Sequence, residues 1–388
     1  NMQVVDPTTV SPCCDTMPDY EMNGYPTAGA FDGSGVGGSV SGPAPVSTST
    51  VSAGKNLGAT PGGAQDIGLV RRWIEDGLVP TGNNLTVEGL LSEHDLPIEG
   101  QTCEQFLCVH GALGMSPTLD DDDGTTFVQI GFMSGLRTDT FKRRPLNLVV
   151  VVDVSGSMGS GDKMVATREA LNHLVDQLGE DDRFGIVKFN SEASVVLEST
   201  PATDKAALKA AIAQLNAGGS TNIEAGLVMG YEMAAKFLEE SGRNHRVMLF
   251  TDAQPNVGNT EQGGFIAIAK KYADLGIGLS SFGVGIDFQH ELILGISQIR
   301  GGNYFYLENA DKIRKVFDED FDYLVTPLAY DMKVSLTPGA NYEIVDVYGI
   351  PNWSKGEQTI TLDVKTVFLS RNKGAIMLRL KYVGPLYL

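Results

Sequence analysis

The chain has 388 residues, 42 % of them hydrophobic and 20 % charged, which is typical of a folded globular protein with more than one core. Its 29 Lys and Arg residues against 48 Asp and Glu residues leave a formal net charge of −19. An acidic excess of this size repels phosphate backbones and anionic lipid surfaces, so we expect neither nucleic acid nor a membrane surface as a partner. No apolar run approaches the roughly 20 residues that cross a bilayer, so we also expect no membrane span.

The beginning of the chain has the composition of an arm or linker. It starts at Asn1 without an initiator Met, which fits either a product trimmed of a leader or a fragment of a longer chain. Residues 1–64 are rich in Gly, Ser, Thr, Pro and Ala, as in GAFDGSGVGGSVSGPAPVSTSTVSAG. Few large apolar side chains are available there to offset the loss of chain entropy on folding. We therefore predict a low-complexity N-terminal arm or linker over 1–64.

A mixed segment of helix and strands is predicted over 65–144. The stretch IGLVRRWIEDG has helical spacing of its apolar residues and ends at Gly77. Two strand-like stretches follow, FLCVHGAL and TTFVQIGFM, and the acidic turn LDDDDG separates them. This segment is predicted to supply the first part of a β-rich domain.

The four cysteines are Cys13, Cys14, Cys103 and Cys108. The spacing TCEQFLC allows a small disulfide loop between Cys103 and Cys108 in an oxidising compartment, or two free thiols. A zinc site is less favoured because it would need two further ligands. The candidate disulfide and the free thiols both stay open at this point.

Strands and helices alternate over 145–324. LNLVVVVDV is a continuous β-branched run, as expected for a strand that is buried on both faces. Further predicted strands are RFGIVKFN, ASVVLES, HRVMLFTD, GIGLSSFGVG and NYFYL. The predicted helices are DKMVATREALNHLVDQL, DKAALKAAIAQL, NIEAGLVMGYEMAAKFL, FIAIAKKYADL, FQHELILGISQI and ADKIRKVFDEDFDYL. This alternation predicts an α/β fold with a doubly wound, mostly parallel sheet. After 325 the helices stop, and strand-like pieces over 325–388 predict the second part of the β-rich domain.

Oxygen-bearing side chains gather at the predicted ends of two buried strands. In an open α/β sheet, ligands bind beside the carboxyl ends of the strands. The first strand ends in Asp153, Ser155 and Ser157 at alternate positions, and a second strand ends on Asp252. Thr221 lies between them in the Gly-rich loop GGSTNIEAG. Two carboxylates and three hydroxyls suit Mg²⁺, with Ca²⁺ or Mn²⁺ as alternatives, better than zinc or copper.

The motifs DVSGSM, GGSTNI and LFTD, in this order, resemble the metal-ion-dependent adhesion site of von Willebrand factor type A (VWA) domains. The resemblance covers about 145–324 and implies a Rossmann-like VWA sheet. It assigns the metal-ligand role to Asp153, Ser155, Ser157, Thr221 and Asp252. One departure is Ala253, where many members of the family have Gly.

The flanks also resemble those of bacterial secreted VWA proteins, in VRRWIEDGLVPTGNNLTVEGLL and TVFLSRNKGAIMLRLKYV. We therefore expect the VWA unit to be inserted in, or flanked by, a β-sandwich made from about 101–144 and 325–388. Insertion would bring the two ends of the VWA unit close together.

The resemblance implies a non-enzymatic binding module in the extracellular space or on the cell surface, with the periplasm as an alternative. Its expected partner is a protein that presents an Asp or Glu to the bound cation. The alternative is a structural subunit of an extracellular filament, a homo-oligomer joined through the N-terminal arm or β edges. Metal-assisted hydrolysis is disfavoured because the hydroxyl-rich site offers no general base beyond its two carboxylates.

Overall fold

The fold is described from a computed structural model. It covers residues 2–4, 56–65, 67–81, 87–92, 94–98, 102–118, 121–252, 262–284, 295, 298–307, 309–350, 353–356 and 359–385. Most of the predicted arm, with Cys13 and Cys14, and most of the helix predicted at FQHELILGISQI lie outside these residues.

The strands and helices are numbered in chain order. The strands are β1 (Met2–Val4), β2 (Asn56–Pro61), β3 (Ala64–Gln65), β4 (Leu107–Thr118), β5 (Asp121–Arg137), β6 (Leu146–Asp153), β7 (Arg183–Phe189), β8 (Ala193–Pro201), β9 (Asn244–Thr251), β10 (Ile277–Val284), β11 (Gly302–Leu307), β12 (Pro327–Leu336), β13 (Tyr342–Tyr348), β14 (Trp353–Lys355), β15 (Ile360–Ser370) and β16 (Ala375–Tyr382). The α-helices are α1 (Ile67–Glu75), α2 (Val87–Ser92), α3 (Lys163–Gln177), α4 (Lys205–Ile212), α5 (Ile223–Ala235), α6 (Gln262–Ala273), α7 (Ala310–Arg314) and α8 (Phe321–Leu324). A 3-10 turn at Gly156–Gly159 and a π-helical turn at Lys315–Glu319 complete them.

The α/β sheet has the strand order β3-β11-β10-β9-β6-β7-β8 in the described part of the chain. Its strands run parallel except at the edge, where β8 pairs antiparallel with β7. Strand order reverses on either side of β6, as in a doubly wound sheet. The predicted α/β fold class is confirmed.

Strand β6 lies at the centre of this sheet and is buried at every position. Its alternate side chains enter two separate apolar clusters, with Val150 and Val152 on one face and Val149 and Val151 on the other. The first cluster includes Leu171 of α3, and the second includes side chains of α5 and α6. Helices therefore cover both faces, which explains why the β6 sequence is a continuous apolar run rather than an alternating one.

A second sheet is antiparallel and takes strands from both sides of the α/β unit. Its order is β1-β12-β15-β2-β5-β16-β13, with β14 added on β15 and β4 on β5. Ile130 of β5 pairs with Ile376 of β16, so segments before and after the α/β unit lie side by side. Apolar side chains of β2, β5, β12, β13, β15 and β16 form one shared cluster. The α/β unit is thus inserted into the sequence of the antiparallel unit, while a two-layer sandwich and the domain boundaries stay predictions.

The predicted arm and the predicted acidic turn both differ from the sequence-based expectation, since β1, β2 and the start of β3 lie within 1–64. Residues Asn56–Pro61, within the predicted arm, form strand β2 between β15 and β5. Leu57 and Ala59 are buried there, and the backbone of Asn372 approaches Gly58 too closely for any side chain. The second difference is at Asp121, where β5 already begins although a turn was predicted, because pairing with Thr118 extends the hairpin.

The structure joins Cys103 to Cys108 by a disulfide, ahead of and within β4. The bond closes a short loop at the start of the antiparallel sheet. None of the helices within the described ranges is long and apolar enough to cross a membrane.

Candidate metal centre

The two carboxylates of the predicted site meet at one edge of the α/β sheet. Strands β6 and β9 are parallel neighbours, with Val152 opposite Phe250, so both deliver their last residues to the same edge. Asp153 ends β6 and Asp252 follows β9, and their exposed fractions are 0 % and 1 %. Two buried acidic groups at one strand edge need partners that offset their desolvation.

Asp153 is held by hydrogen bonds to both of its carboxylate oxygens. The backbone N–H of Ser155 donates to Oδ1 at 2.8 Å, and the hydroxyl of Thr251 donates to Oδ2 at 2.7 Å. The first contact is local to the loop after β6, while the second comes from the neighbouring strand β9. Together they fix the orientation of the carboxylate before any ligand binds.

The hydroxyls of the loop after β6 connect it to the second carboxylate. Ser155 Oγ lies 3.0 Å from Ser157 Oγ, and Ser157 Oγ donates to Asp252 Oδ1 at 2.9 Å. The 3-10 turn at Gly156–Gly159 brings Ser157 back toward the sheet, with Met158 buried beneath it. The loop therefore presents two hydroxyl oxygens between the two carboxylates.

Lys163 contacts the other carboxylate oxygen of Asp252. Its Nζ donates to Asp252 Oδ2 at 2.7 Å, and its side chain is 18 % exposed. Lys163 is the first residue of α3, which follows the loop after β6. The site therefore contains a cationic side chain in direct contact with one of its two carboxylates.

Thr221 lies in the loop before α5, which backbone hydrogen bonds join to the loop after β6. The N–H of Gly156 donates to the carbonyl of Gly219 at 2.9 Å, and the N–H of Gly218 donates to the carbonyl of Val154 at 2.7 Å. Gly219 has a φ of +93°, a backbone conformation that residues other than glycine rarely adopt. Thr221 itself is 2 % exposed, so this loop adds a buried hydroxyl to the same region.

The environment of Asp153 makes its carboxyl a weaker acid than usual when no cation is bound. Burial raises the pKa of Asp153 to about 6 from its ordinary value of 3.8, and the neighbouring charge of Asp252 adds to this effect. Hydrogen bonds from Thr251 and Ser155 lower the pKa in part. A bound cation would favour the ionised carboxylate, so the site is suited to a positive charge.

The donor set can be compared with the ligand preferences of metal ions. No group of three His, Cys, Asp or Glu side chains that could hold a metal occurs in the described ranges, so a site here must use hydroxyls. Two carboxylates with serine and threonine hydroxyls form an all-oxygen set, which fits a hard divalent cation such as Mg²⁺. The residues present fit the predicted ion.

The structure brings four of the five predicted ligands into one hydrogen-bonded group: Asp153, Ser155, Ser157 and Asp252. Thr221 is placed in the adjoining loop, and Ala253 lies outside the described residues. The sequence reasoning missed two contributors, Thr251 and Lys163. Thr251 was visible as a hydroxyl residue directly after the apolar run 247–250, whereas Lys163 is the first residue of α3 and nothing local marked it.

Comparison with known proteins agrees with this architecture. The family model of the von Willebrand factor type A domain matches residues 147–319. Protein YfbK of Escherichia coli (strain K12) is 34 % identical over 191 residues, which cover 49 % of this chain and 33 % of YfbK. Protein sll0103 of Synechocystis sp. is 29 % identical over 261 residues, which cover 66 % of this chain and 59 % of that protein. The chain thus spans about a third of one relative and under two thirds of the other.

A solved structure, a von Willebrand factor type A protein from Catenulispora acidiphila, has a TM-score of 0.48 and 18 % sequence identity. The superposition covers 74 % of this chain and 68 % of that protein. The family match includes strand β6, the loop of Asp153, the loop of Thr221 and strand β9, and it coincides with the α/β unit. Residues 147–319 therefore match the von Willebrand factor type A (VWA) domain, as the sequence motifs predicted.

Proposed function

We propose that this protein is a metal-ion-dependent adhesion or protein-binding module that captures an acidic group of a protein partner through a divalent cation. The proposed ligands are Asp153, Ser155, Ser157, Thr221 and Asp252. The observation that supports this most directly is the hydrogen-bonded group at the edge of β6 and β9, where two buried carboxylates flank two hydroxyls. Mg²⁺ is the proposed cation, with Ca²⁺ or Mn²⁺ as alternatives.

The proposal of capture rests on the charge of the ligands. When bound, a divalent cation would supply an electrophilic position that accepts a carboxylate oxygen of an Asp or Glu. Serine and threonine hydroxyls are neutral, so Ser155, Ser157 and Thr221 leave the charge of such an ion intact. Only Asp153 and Asp252 among the proposed ligands carry a negative charge, so the ligand set does not outweigh the 2+ charge of the ion.

A binding role is favoured over hydrolysis by the groups that surround the carboxylates. In the described part of the site, the hydrogen bonds to Asp153 and Asp252 come from hydroxyls, a backbone amide and an ammonium. These groups all donate protons, whereas hydrolysis needs a base that accepts one from water. We therefore propose a module that binds without catalysing a reaction.

The proposed location is the cell surface or the extracellular space, with the periplasm as an alternative. The disulfide between Cys103 and Cys108 supports it, since disulfides persist in oxidising compartments and are rare in the cytosol. A strongly acidic chain is also well suited to solubility outside the cell.

Metal binding by the full chain tests the proposal. Isothermal titration with MgCl₂ at pH 8 is expected to show one site, and Asp153→Ala combined with Ser155→Ala is expected to abolish it. Glu198→Ala is the matched control, because Glu198 is an exposed acidic residue of the edge strand β8 and forms an ion pair with Lys236 on the surface. Circular dichroism checks that each variant is folded.

Capture is measured as retention of the protein on carboxylate-coated beads in Mg²⁺ and in EDTA. We expect retention in Mg²⁺ that EDTA and the double substitution both remove. Undiminished retention in EDTA would contradict the metal-dependent function.

A second candidate function, a subunit of a homo-oligomer or filament, is favoured by strand β4. In the described residues β4 pairs with β5 and with no other strand. Its sequence LCVHGALGMSPT contains no Asp, Glu, Lys or Arg, and Leu113 and Met115 are 69 % and 71 % exposed. Long apolar edges without charged residues favour pairing with another strand. The proposed occupant is β4 of a second copy, because an uncharged edge adds no local charge repulsion where two chains of net charge −19 meet.

Light scattering over a range of protein concentrations tests this second candidate. Leu113→Lys combined with Met115→Lys is expected to convert an oligomer into a monomer. Leu275→Lys, at a residue that is 50 % exposed and outside the antiparallel sheet, is the control and is expected to change nothing. A wild-type chain that is monomeric at every concentration would rule out assembly through β4.

A further inference from the structure

In the ion pair between Lys163 and Asp252, the two carboxylate oxygens of Asp252 accept hydrogen bonds from two different side chains. Oδ1 of Asp252 accepts from Ser157 Oγ at 2.9 Å, and Oδ2 accepts from Lys163 Nζ at 2.7 Å. The Asp252 side chain is fully buried and that of Lys163 is 18 % exposed, so water and salt screen this pair weakly. The positive charge is therefore felt by the whole cluster of carboxylates and hydroxyls.

The backbone of α3 holds Lys163 at this place. Lys163 begins the helix, its carbonyl accepts from the hydroxyl of Thr167 at 2.9 Å, and its neighbour Met164 is buried. A surface lysine on a long flexible stem usually loses entropy when it is fixed. Here the helix fixes the backbone from which the stem extends, so only the side-chain rotamers of Lys163 have to be ordered.

The first position of a helix, where Lys163 lies, is unfavourable for a cationic side chain. The N-terminus of a helix carries partial positive charge and favours acidic side chains, yet the first turn of α3 contains no acidic residue and begins with lysine. A residue that opposes its local environment is usually retained for a tertiary contact. Lys163 makes such a tertiary contact with the carboxylate of Asp252.

We infer that Lys163 sets the charge of the metal site, so that the bound cation keeps enough positive charge to attract an acidic partner. Asp153 and Asp252 contribute two negative charges, and Lys163 returns one positive charge. A divalent cation in this group leaves a net charge of +1, whereas without Lys163 the group would be neutral. This inference rests on the proposed function and adds to it the residue that selects anionic ligands.

A charge-setting role and a purely structural role of Lys163 predict different changes in the affinities for cations and anions. If Lys163 only fixed the side chain of Asp252, then removing its ammonium would weaken both cation binding and anion binding. If Lys163 sets the charge, removing the ammonium strengthens cation binding and weakens anion binding, because the two ligands have opposite charges. Opposite changes in the two affinities are therefore the diagnostic result.

The experiment uses the full chain at pH 8 with Mn²⁺ as the cation and acetate as the anion. Mn²⁺ binding is measured by electron paramagnetic resonance, and acetate binding to the Mn²⁺-loaded protein is measured by water-proton relaxation. We expect Lys163→Met to bind Mn²⁺ about tenfold more tightly and acetate at least about threefold more weakly. Lys163→Arg is expected to resemble the wild type in both measurements.

Two further variants control for misfolding and for a general change in net charge. Lys163→Gln repeats the test with a polar side chain, in case Lys163→Met fails to fold. Lys209→Met removes one positive charge from the ion pair with Asp176, near the other end of α3 and about 20 Å along the helix from Lys163. This control is expected to leave both affinities unchanged.

The outcomes separate the two proposals. Unchanged affinities in Lys163→Met and Lys163→Gln, or a loss of both affinities, would overturn the role of Lys163 but not the proposed metal site, which Mn²⁺ binding by the wild type tests. A wild-type chain that binds no Mn²⁺ would instead overturn the proposed function, and the inference with it.

Discussion

The hydroxyl of Thr251 donates a hydrogen bond of 2.7 Å to Oδ2 of Asp153, although the two residues are 98 positions apart in the sequence. The contact joins the ends of β9 and β6 and leaves Asp153 facing the hydroxyls of its own loop. It also places Asp252, the next residue after Thr251, at the same edge of the sheet. One hydrogen bond thus ties together the two carboxylates of the proposed centre.

Replacing Thr251 is expected to affect stability through this bond. Thr251→Val keeps the size of the side chain but removes a donor from a buried carboxylate, which costs about 1–3 kcal/mol of the free energy of unfolding at pH 8 in EDTA. The pKa of Asp153 is expected to rise, since the hydrogen bond from Thr251 lowers it. Urea unfolding and ¹³C NMR titration measure the two effects. Thr251→Ser retains the hydroxyl, and a stability loss equal to that of Thr251→Val would contradict the role of the hydrogen bond.

The raised pKa of Asp153 predicts a pH dependence for the metal-free protein. The folded-state value of about 6 lies above the ordinary value of 3.8, so the unfolded chain releases this proton first as the pH rises. Asp153 therefore has no effect on stability below pH 4, and its destabilising effect develops between pH 4 and 6 and persists above pH 6. About two pKa units correspond to a cost on the order of 2–3 kcal/mol above pH 6.

The variant Asp153→Asn tests this dependence because it has no charge to release. In EDTA, its free energy of unfolding relative to the wild type is expected to increase from pH 4 to pH 7.5, as measured by urea unfolding at several pH values. A constant difference between the two proteins across this range would show that Asp153 has an ordinary pKa.

The close packing of α5 on β6 predicts that a substitution in α5 weakens the proposed metal site. A Cβ atom at Gly230 would lie 2.3 Å from Cγ2 of Val151, two residues before Asp153 in β6. Gly230→Ala is expected to cost about 1–3 kcal/mol, because the helix must move away from the sheet. Since α5 begins shortly after Thr221, we also expect weaker Mg²⁺ binding by isothermal titration. Gly114→Ala, where nothing lies within 4 Å of the added carbon, is the control and should leave both quantities unchanged.

The disulfide between Cys103 and Cys108 is expected to stabilise the antiparallel sheet modestly. The loop is short, with a sequence separation of 5, so the chain-entropy estimate is about 2 kcal/mol. Cys103→Ser combined with Cys108→Ser should lower the free energy of unfolding by this amount and leave Mg²⁺ affinity unchanged, because the α/β unit contains neither residue. A marked loss of Mg²⁺ binding in this variant would show that the two units are coupled.

Local patterns were sufficient for the elements that carry the proposed ligands. The run LNLVVVVD predicted a strand that is buried on both faces, and β6 is such a strand. The alternation of strands and helices after it predicted the α/β sheet, which the structure contains. Boundaries in the flanks were less accurate. Strand β2 was missed because Asn56–Pro61 has only two buried apolar residues, and its stability comes from neighbours on both sides.

By itself, the sequence determined the α/β class and the candidate ligands, because each candidate ligand lies at the end of a strongly patterned element or in a loop beside one. The tertiary structure alone decided which distant residues complete the site. Lys163 reaches Asp252 across 89 positions, and Thr251 reaches Asp153 across 98. It also decided that Ile130 pairs with Ile376, which joins the segments before and after the inserted unit in one antiparallel sheet. Such pairings depend on the path of the whole chain, and no local propensity contains that information.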